Sequence, residues 1–511
     1  MPRTSITSAL VALEIDRSGP VPIYLQLAGR LREAIAAGRL PIGVKLPSTR
    51  VFADELGVSR NTVLQVFETL TQEGTLESRV GAGTFVAGIG MDAKPAVPNR
   101  PAGEGRRGER VDHGYPFRSL SRRGRSLVAS STGEFSERPT PFMPDLPDLR
   151  EFPIRTWLRL LNETSGRLTG ELLADSSNAG YEPLRRAIAQ YLSTSRGMSC
   201  DYTQVIITTG SQQSLDLVCR LLLDSGDPVW IEEPCYPGAR AVIAANGAVC
   251  RFVPVDDAGI RIEEAIERLP VPRLIFTSPS RQYPLGGTLS QARREAMVRV
   301  AHDGGSWMVE DDYDHEFRYA GNAPQSLFGL DREHRTIHMG TFSKILLPSF
   351  RLGYVVVPTD FAGAFAEARA VVDRHASLIE QMVLSEFMHR GLLAAHIRRM
   401  RALYRARQRQ LAEGLVALFG PGIDFGNTDT GTHLILPFGD DADDRAIGRT
   451  LAQAGVMARP LSPYFVGPNR RRGLLFGFSA FNTAEIAEGL ARLARVADEI
   501  APLLQRTGRS A

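Results

Sequence analysis

A chain of 511 residues is too long for one ordinary domain and long enough to bury two or three full hydrophobic cores. Its 43% hydrophobic and 23% charged content is that of a soluble globular protein; no apolar run approaches the roughly 20 residues of a membrane helix, and the start Met-Pro-Arg-Thr-Ser has no export signal's charged head and apolar core, so a cytoplasmic protein without a membrane partner is expected. A formal net charge of +3 is too small to argue for nucleic acid by itself, and Cys200, Cys219, Cys235 and Cys250 form no C-x-x-C pair and have no histidines at zinc spacing, so neither a disulfide framework nor a metal site is expected.

From Ile23 the apolar residues Ile23, Leu27, Leu31 and Ile35 recur at helical spacing until Gly38 ends the run. Ser48 is a good N-cap for a second helix, with Val51, Phe52 and Leu56 on its buried side and Gly57 as its stop. A third helix opens at Ser59-Arg60-Asn61-Thr62 and runs through Val63, Val66, Phe67 and Leu70 to Gly74. Two helices joined across the short Gly57-Val58 turn have helix-turn-helix spacing. Alternation from Thr75 to Val86 around a glycine turn predicts two short strands, a wing beside the third helix. Ser59, Arg60, Asn61 and Thr62 then stand at the exposed start of a recognition helix, where side chains reach base edges and backbone amides face phosphates. Lys45 and Arg50 would anchor phosphates, and Arg79 with Gly81 would bring the wing close to the DNA backbone.

Singly, each of these residues fits a solvated helical surface. The ordered set P-I-Y-x-Q-L, L-P-S-T-R-x-F-A-D-E-L-G-V-S-R-N-T-V and G-x-G-T-F-V, over residues 18–88, resembles the winged helix-turn-helix of the GntR family of bacterial transcription regulators. That resemblance implies double-stranded operator DNA as a partner. Across 89–140 periodicity is lost and Pro, Gly, Ser and Arg accumulate, so a flexible tether is expected, with Leu120 to Ser130 at the edge of the next domain.

From Pro141 onward strand-like runs alternate with helical ones: 204–208 then 211–223, 228–231 then 236–245, 274–277 then 289–302, then 307–310. Such alternation predicts a largely parallel sheet covered by helices, with ligands at the carboxyl ends of its strands. Four stretches fall at such ends. Thr209-Gly210-Ser211-Gln212-Gln213 opens a helix in a way that suits a phosphate. Tyr236, in Glu232-Glu233-Pro234-Cys235-Tyr236, could lay its ring on a flat cofactor. Glu310 to Phe317 is dense in carboxylates, and Arg351 could clamp a phosphate bidentately. Between them lies Lys344, one of only three lysines with Lys45 and Lys94, and the one set among small and apolar residues, where a lowered pKa would free its amine for a Schiff base. A lysine amine, a ring partner, a pyridinium partner and phosphate contacts in this order form a pyridoxal 5'-phosphate site, because that cofactor needs all of them.

The stretches G-Y-E-P-L-R-R-A-I-A-Q-Y-L from Gly180, T-T-G-S-Q-Q, E-P-C-Y-P-G, P-S-R-Q-Y-P-L-G, E-D-D-Y-D-x-E-F-R-Y and G-T-F-S-K-x-L-x-P-x-x-R-L-G-Y resemble the aminotransferase fold type I domain, an α/β architecture with large and small subdomains, expected here over 141–505. Behind a GntR-type winged helix, the whole resembles the MocR subfamily of regulators. The resemblance implies that Lys344 carries the cofactor as a Schiff base and that Asp311 pairs with the pyridine nitrogen. Tyr313 would contact the phenolic oxygen, and Tyr236 would stack on the ring. Ser211, Thr341 and Arg351 would bind phosphate with the Gly210 to Gln212 amides, and Tyr283 would lie beside the phenolic oxygen.

Two departures stand out. Arg281 adds a cation where the family often has histidine, and Leu475 stands before Phe476-Gly477-Phe478 where many aminotransferases place a carboxylate-gripping arginine. The nearest cations are Arg470, Arg471 and Arg472, with Arg459 further back, which favours the cofactor itself or an unusual amine as effector. The run from His396 to Arg405 is too basic for a core and reads as a solvated or subunit-facing helix. The expected function is a homodimeric, DNA-binding transcription regulator that senses pyridoxal phosphate, alone or with an amine or amino acid; the alternative is a working aminotransferase carrying a winged helix.

Overall fold

The computed structural model describes residues 16–17, 21–79, 81–87, 120–129, 140–170, 172, 177–321, 323–468 and 470–505. The expected tether at 89–140 therefore lies outside the described residues except for 120–129 and 140, and Arg122–Ala129 is a helix against the helix Pro237–Ala245. The chain divides into two compact units, Met1–His113 and Gly114–Ala511.

In the first unit, helices Ile23–Ala36, Thr49–Leu56 and Arg60–Gln72 precede strands β1 (Leu76–Arg79) and β2 (Gly83–Val86), which pair antiparallel. Both expected caps form: Ser48 Oγ accepts from the Val51 amide at 3.4 Å and Ser59 Oγ from the Thr62 amide at 3.1 Å. Each satisfies one of the amides that a helix start leaves without a partner. Gly57 ends the second helix at φ 61°, a left-handed turn that glycine adopts without steric cost. Leu27, Leu31, Phe52, Val63, Val66 and Leu70 close one core. Val51, expected inside, is 48% exposed. Phe52 with Ala53 supplies the buried side of this helix instead.

In the second unit an eight-stranded sheet is built from β3 (Val205–Thr208), β4 (Pro228–Glu233), β5 (Val249–Asp256), β6 (Gly259–Ile260), β7 (Leu274–Thr277), β8 (Trp307–Asp311), β9 (Thr336–Thr341) and β10 (Gly353–Val356), in the order β3-β10-β9-β8-β7-β4-β5-β6. The pairs β4–β5, β4–β7, β7–β8 and β8–β9 are parallel, whereas β10 runs antiparallel to both β3 and β9. Parallel pairing needs a crossover of a dozen or more residues, usually a helix. Only 342–352 separate β9 from β10, so the chain doubles back, and this short return carries both Lys344 and Arg351. It thereby brings them to the edge of the sheet where the parallel strands end. Glycine makes the junction close: a Cβ on Gly353 would stand 2.8 Å from Gly210 Cα, and one on Gly340 would stand 2.2 Å from the Tyr354 ring.

A second, antiparallel sheet, β11 (His433–Phe438), β13 (Arg472–Gly477) and β12 (Arg459–Pro460), forms the small subdomain with the helices Leu392–Phe419 and Thr483–Ala494. Its core joins Phe142, Met400, Tyr404, Leu411, Leu434, Leu474 and Phe476. The basic run from His396 to Arg405 is therefore not wholly solvated. Within that 28-residue helix His396, Ile397, Met400, Tyr404 and Arg407 are buried, and Arg407 is neutralised by buried Asp148 at 2.8 Å. A helix can be rich in arginine and still own an apolar stripe, because the 3.6-residue period separates its two faces.

Candidate cofactor pocket and DNA interface

The pocket assembles at the carboxyl ends of β3, β8 and β9. Thr341 pairs with Gly353, and Gly353 in turn with Thr208, so the turn after β3 and the end of β9 meet across β10. Gly210, at φ 126°, begins the helix Ser211–Leu222 with no side-chain cap, which leaves amides facing outward as a phosphate would need. The Arg351 guanidinium lies over this turn, 3.5–3.7 Å from the point that a Cβ on Gly210 would occupy, and Arg351 itself is held at φ 50°. No carboxylate among the described residues lies within ion-pair distance of it. An uncapped helix start beneath an unpaired guanidinium, with Thr341 two strands across from Thr208, fits a phosphate dianion.

Asp311 ends β8, almost wholly buried at 6% exposure, and its Oδ1 has no hydrogen-bond partner. Burial first, then the charges of Asp312, Asp314 and Glu232, push its carboxyl up to about 7. A buried acceptor without a donor is costly, and a protonated ring nitrogen would relieve it. The Tyr313 hydroxyl is likewise buried and unpartnered. Tyr236 stands at the start of the helix Pro237–Ala245, with its hydroxyl accepting from Gln212 Nε2 at 2.9 Å. These orphaned groups, with the phosphate cradle beside them, fit pyridoxal phosphate.

Lys344 does not lie in purely apolar surroundings. Its Nζ donates to the Asp145 carbonyl at 3.0 Å and sits 3.3 Å from Asp145 Oδ1. Asp145 Oδ2 accepts from Tyr283 at 2.8 Å and from Arg459 Nη1 at 2.5 Å. Burial raises this carboxyl, but Lys344, Arg459 and His433 together outweigh burial and hold it far below the usual carboxylate range. The Tyr283 hydroxyl is thus committed to Asp145 and, at 3.2 Å, to Tyr464, while its ring meets those of Tyr236 and Tyr313 edge-on. Sequence reading missed Asp145 and Tyr464 and left Arg459 outside the site. Strand register accounts for Arg459: it pairs with Leu475 across β12 and β13, so a cation reaches the same neighbourhood from the adjoining strand.

Arg281 is buried structure rather than a loose pocket cation. Its Nη1 donates to the Thr430 carbonyl and Oγ1 at 2.7 and 2.8 Å, its Nη2 to the His433 carbonyl at 3.3 Å, and its Nε faces Asp314 Oδ2 at 3.4 Å. The stretch Thr430 to His433 wraps this guanidinium, and a Cβ on Gly431 would overlap it at 2.0 Å. Burial, reinforced by Arg281, pushes His433 down to about 4.

In the first unit Arg60 and Asn61 are exposed at the start of the third helix, as are Lys45, Arg50 and Gly81. Ser59 and Thr62 are tied together at 2.8 Å in the cap, so their side chains shape the helix start. Arg79 is paired with Glu77 at 3.1 Å and lies 4.9 Å from the centre of the Phe85 ring.

Residues 148–493 match the family described as aminotransferase class I and II, and residues 23–86 match the bacterial regulatory proteins of the gntR family. A kynurenine aminotransferase from Pyrococcus horikoshii, solved with PMP, superimposes with a TM-score of 0.67 at 27% identity, over 76% of this chain and 98% of that one. The chain is thus a gntR-family regulator whose second domain has the aminotransferase class I fold and a pyridoxal phosphate pocket. It is 36% identical to the probable rhizopine catabolism regulatory protein MocR of Rhizobium meliloti over 94% of each, and 32% identical to the transcriptional regulator TauR of Rhodobacter capsulatus over 92% of this chain and 95% of that one. It belongs to the MocR subfamily of these DNA-binding transcription regulators.

Proposed function

We propose that this regulator reads pyridoxal phosphate, alone or together with a primary amine, and converts occupancy of the second domain into a change in operator binding. The observation that carries the reading is the set of unsatisfied groups around Lys344: the orphaned Asp311 Oδ1, the unpartnered Tyr313 hydroxyl and the uncapped helix start beneath Arg351. Lys344 would hold the cofactor covalently. Ser211, Thr341, Arg351 and the Gly210 to Gln212 amides would hold its phosphate, Asp311 would keep a proton at the ring nitrogen, and Tyr236 would cover the ring. Bound pyridoxal phosphate supplies an electrophilic carbon that primary amines attack.

At the DNA, Arg60 and Asn61 would reach base edges, Lys45 and Arg50 would contact phosphates, and the turn at Gly81 would let the wing approach the backbone. Arg79 must leave Glu77 to join them. The protein acts in the cytoplasm as a homodimer, with two recognition helices on two half-sites. A ligand that prefers one spacing of those helices shifts the population toward it. Among the described residues no helix is long and apolar enough to cross a membrane. The test is selection of genomic fragments by the purified protein with and without pyridoxal phosphate. Enrichment of sites upstream of its own or neighbouring genes, altered by the cofactor, is expected; a protein that enriches none ends the reading.

A further inference from the structure

Resting on that reading of the pocket, we infer that Asp145 is the effector-selecting residue, and that the site takes amines carrying a second hydrogen-bond donor, such as a hydroxyl or another ammonium, in preference to α-amino acids. Three observations lead there. Asp145 holds a left-handed backbone, φ 73°, a conformation unusual for residues other than glycine; strain of this kind clusters where a side chain has a task. Its carboxylate is braced in place by Tyr283 at 2.8 Å and by Arg459 at 2.5 Å, both on Oδ2. The other oxygen, Oδ1, faces Lys344 Nζ at 3.3 Å, the amine on which cofactor chemistry centres.

Charge settles what this arrangement prefers. Arg459 pairs across the strands with Leu475, the position where many aminotransferases place a carboxylate-gripping arginine, and its Nη1 is engaged by Asp145 Oδ2 and, at 3.3 Å, by the Tyr464 hydroxyl. Lys344 and His433 also act on this carboxylate; the His433 ring is 6.2 Å from that of Tyr283, and burial keeps its imidazole neutral near pH 7. A ligand carboxylate brought beside Lys344 would meet a fixed carboxylate whose guanidinium is already committed. A hydroxyl or ammonium would instead donate to Oδ1. Like charges placed together in a partly dry site are strongly discriminated against.

The test compares ligands that differ only by an α-carboxylate: ethanolamine with serine, and putrescine with ornithine. Binding to the full-length, pyridoxal phosphate-treated protein is measured by calorimetry, while cofactor retention is read separately from visible absorption, so that failure of the pocket reading and failure of the selection are told apart. The amine of each pair is expected to bind about ten-fold tighter than its amino acid, which corresponds to about 1.4 kcal/mol. Asp145→Asn keeps the shape and tolerates the left-handed backbone, and should bring the members of each pair to within about three-fold of each other. Asp145→Gly, which relieves the backbone and removes the carboxylate, should do the same. Amino acids that bind the native protein as tightly as their amines, or a preference unchanged in both variants, would overturn the inference.

Discussion

Asp311 offers the sharpest energetic test, because the group that would hold the cofactor is a burden without it. Its carboxyl rises from the ordinary 3.8 to about 7, chiefly through burial and then through Asp312, Asp314 and Glu232. The folded value lies above the unfolded one, so as pH rises the unfolded chain releases this proton first. Stability is full below about pH 4 and is lost progressively until the folded carboxyl also ionises near pH 7. A displacement from 3.8 to about 7 corresponds to about 4 kcal/mol, at about 1.4 kcal/mol per pH unit. Asp311→Asn removes the ionisation while keeping the shape. In cofactor-free protein it should therefore be nearly neutral near pH 4 and stabilising by up to about 4 kcal/mol at pH 8. Urea unfolding followed by tryptophan fluorescence reads this directly, since Trp157, Trp230 and Trp307 all lie in the second unit. The same variant should lose the stabilisation that pyridoxal phosphate gives the native protein. A variant destabilised equally at both pH values would refute the reasoning, because Asp311 would then be a satisfied structural residue.

The remaining expectations concern the DNA-binding unit and the strand junction. Arg60→Ala should relax sequence preference, whereas Arg50→Ala should weaken binding to every sequence and reduce its salt dependence; competition and salt titrations separate the two. Ser59→Ala removes the cap at the Thr62 amide and should cost the first unit about 1 kcal/mol in thermal or urea unfolding. Gly353→Ala would press a methyl to 2.8 Å from Gly210 Cα and 3.0 Å from the Gly340 carbonyl. It should lower pyridoxal phosphate affinity in an absorption titration by displacing the turn under Arg351.

Much of this architecture was legible in the chain because its signals are local. Ser48 and Ser59 announce their helices by chemistry confined to one turn, β3, β4 and β7 appear as short apolar runs followed by helices, and β8 as a further apolar run. Lys344 stood out by scarcity and setting. What escaped was set by contacts distant in sequence. Val51 reads as core on periodicity, but the packed side of its helix is Phe52 with Ala53, and Val51 faces outward. Strand β10 is antiparallel because its connection is too short for a crossover, which periodicity does not report. Arg407 is buried by an aspartate at 148, and Arg281 is absorbed by Asp314 and the carbonyls of Thr430 and His433. Arg459 and Asp145 are 314 residues apart, and no local pattern joins them.

Binding of an operator fragment by native protein and by Lys344→Ala, each with and without pyridoxal phosphate, tests the central claim most directly. The account predicts that both proteins bind DNA in the absence of cofactor, and that only the native protein changes its affinity or footprint when pyridoxal phosphate is added. Identical DNA binding by native protein in both states, or a full response retained by Lys344→Ala, would contradict it.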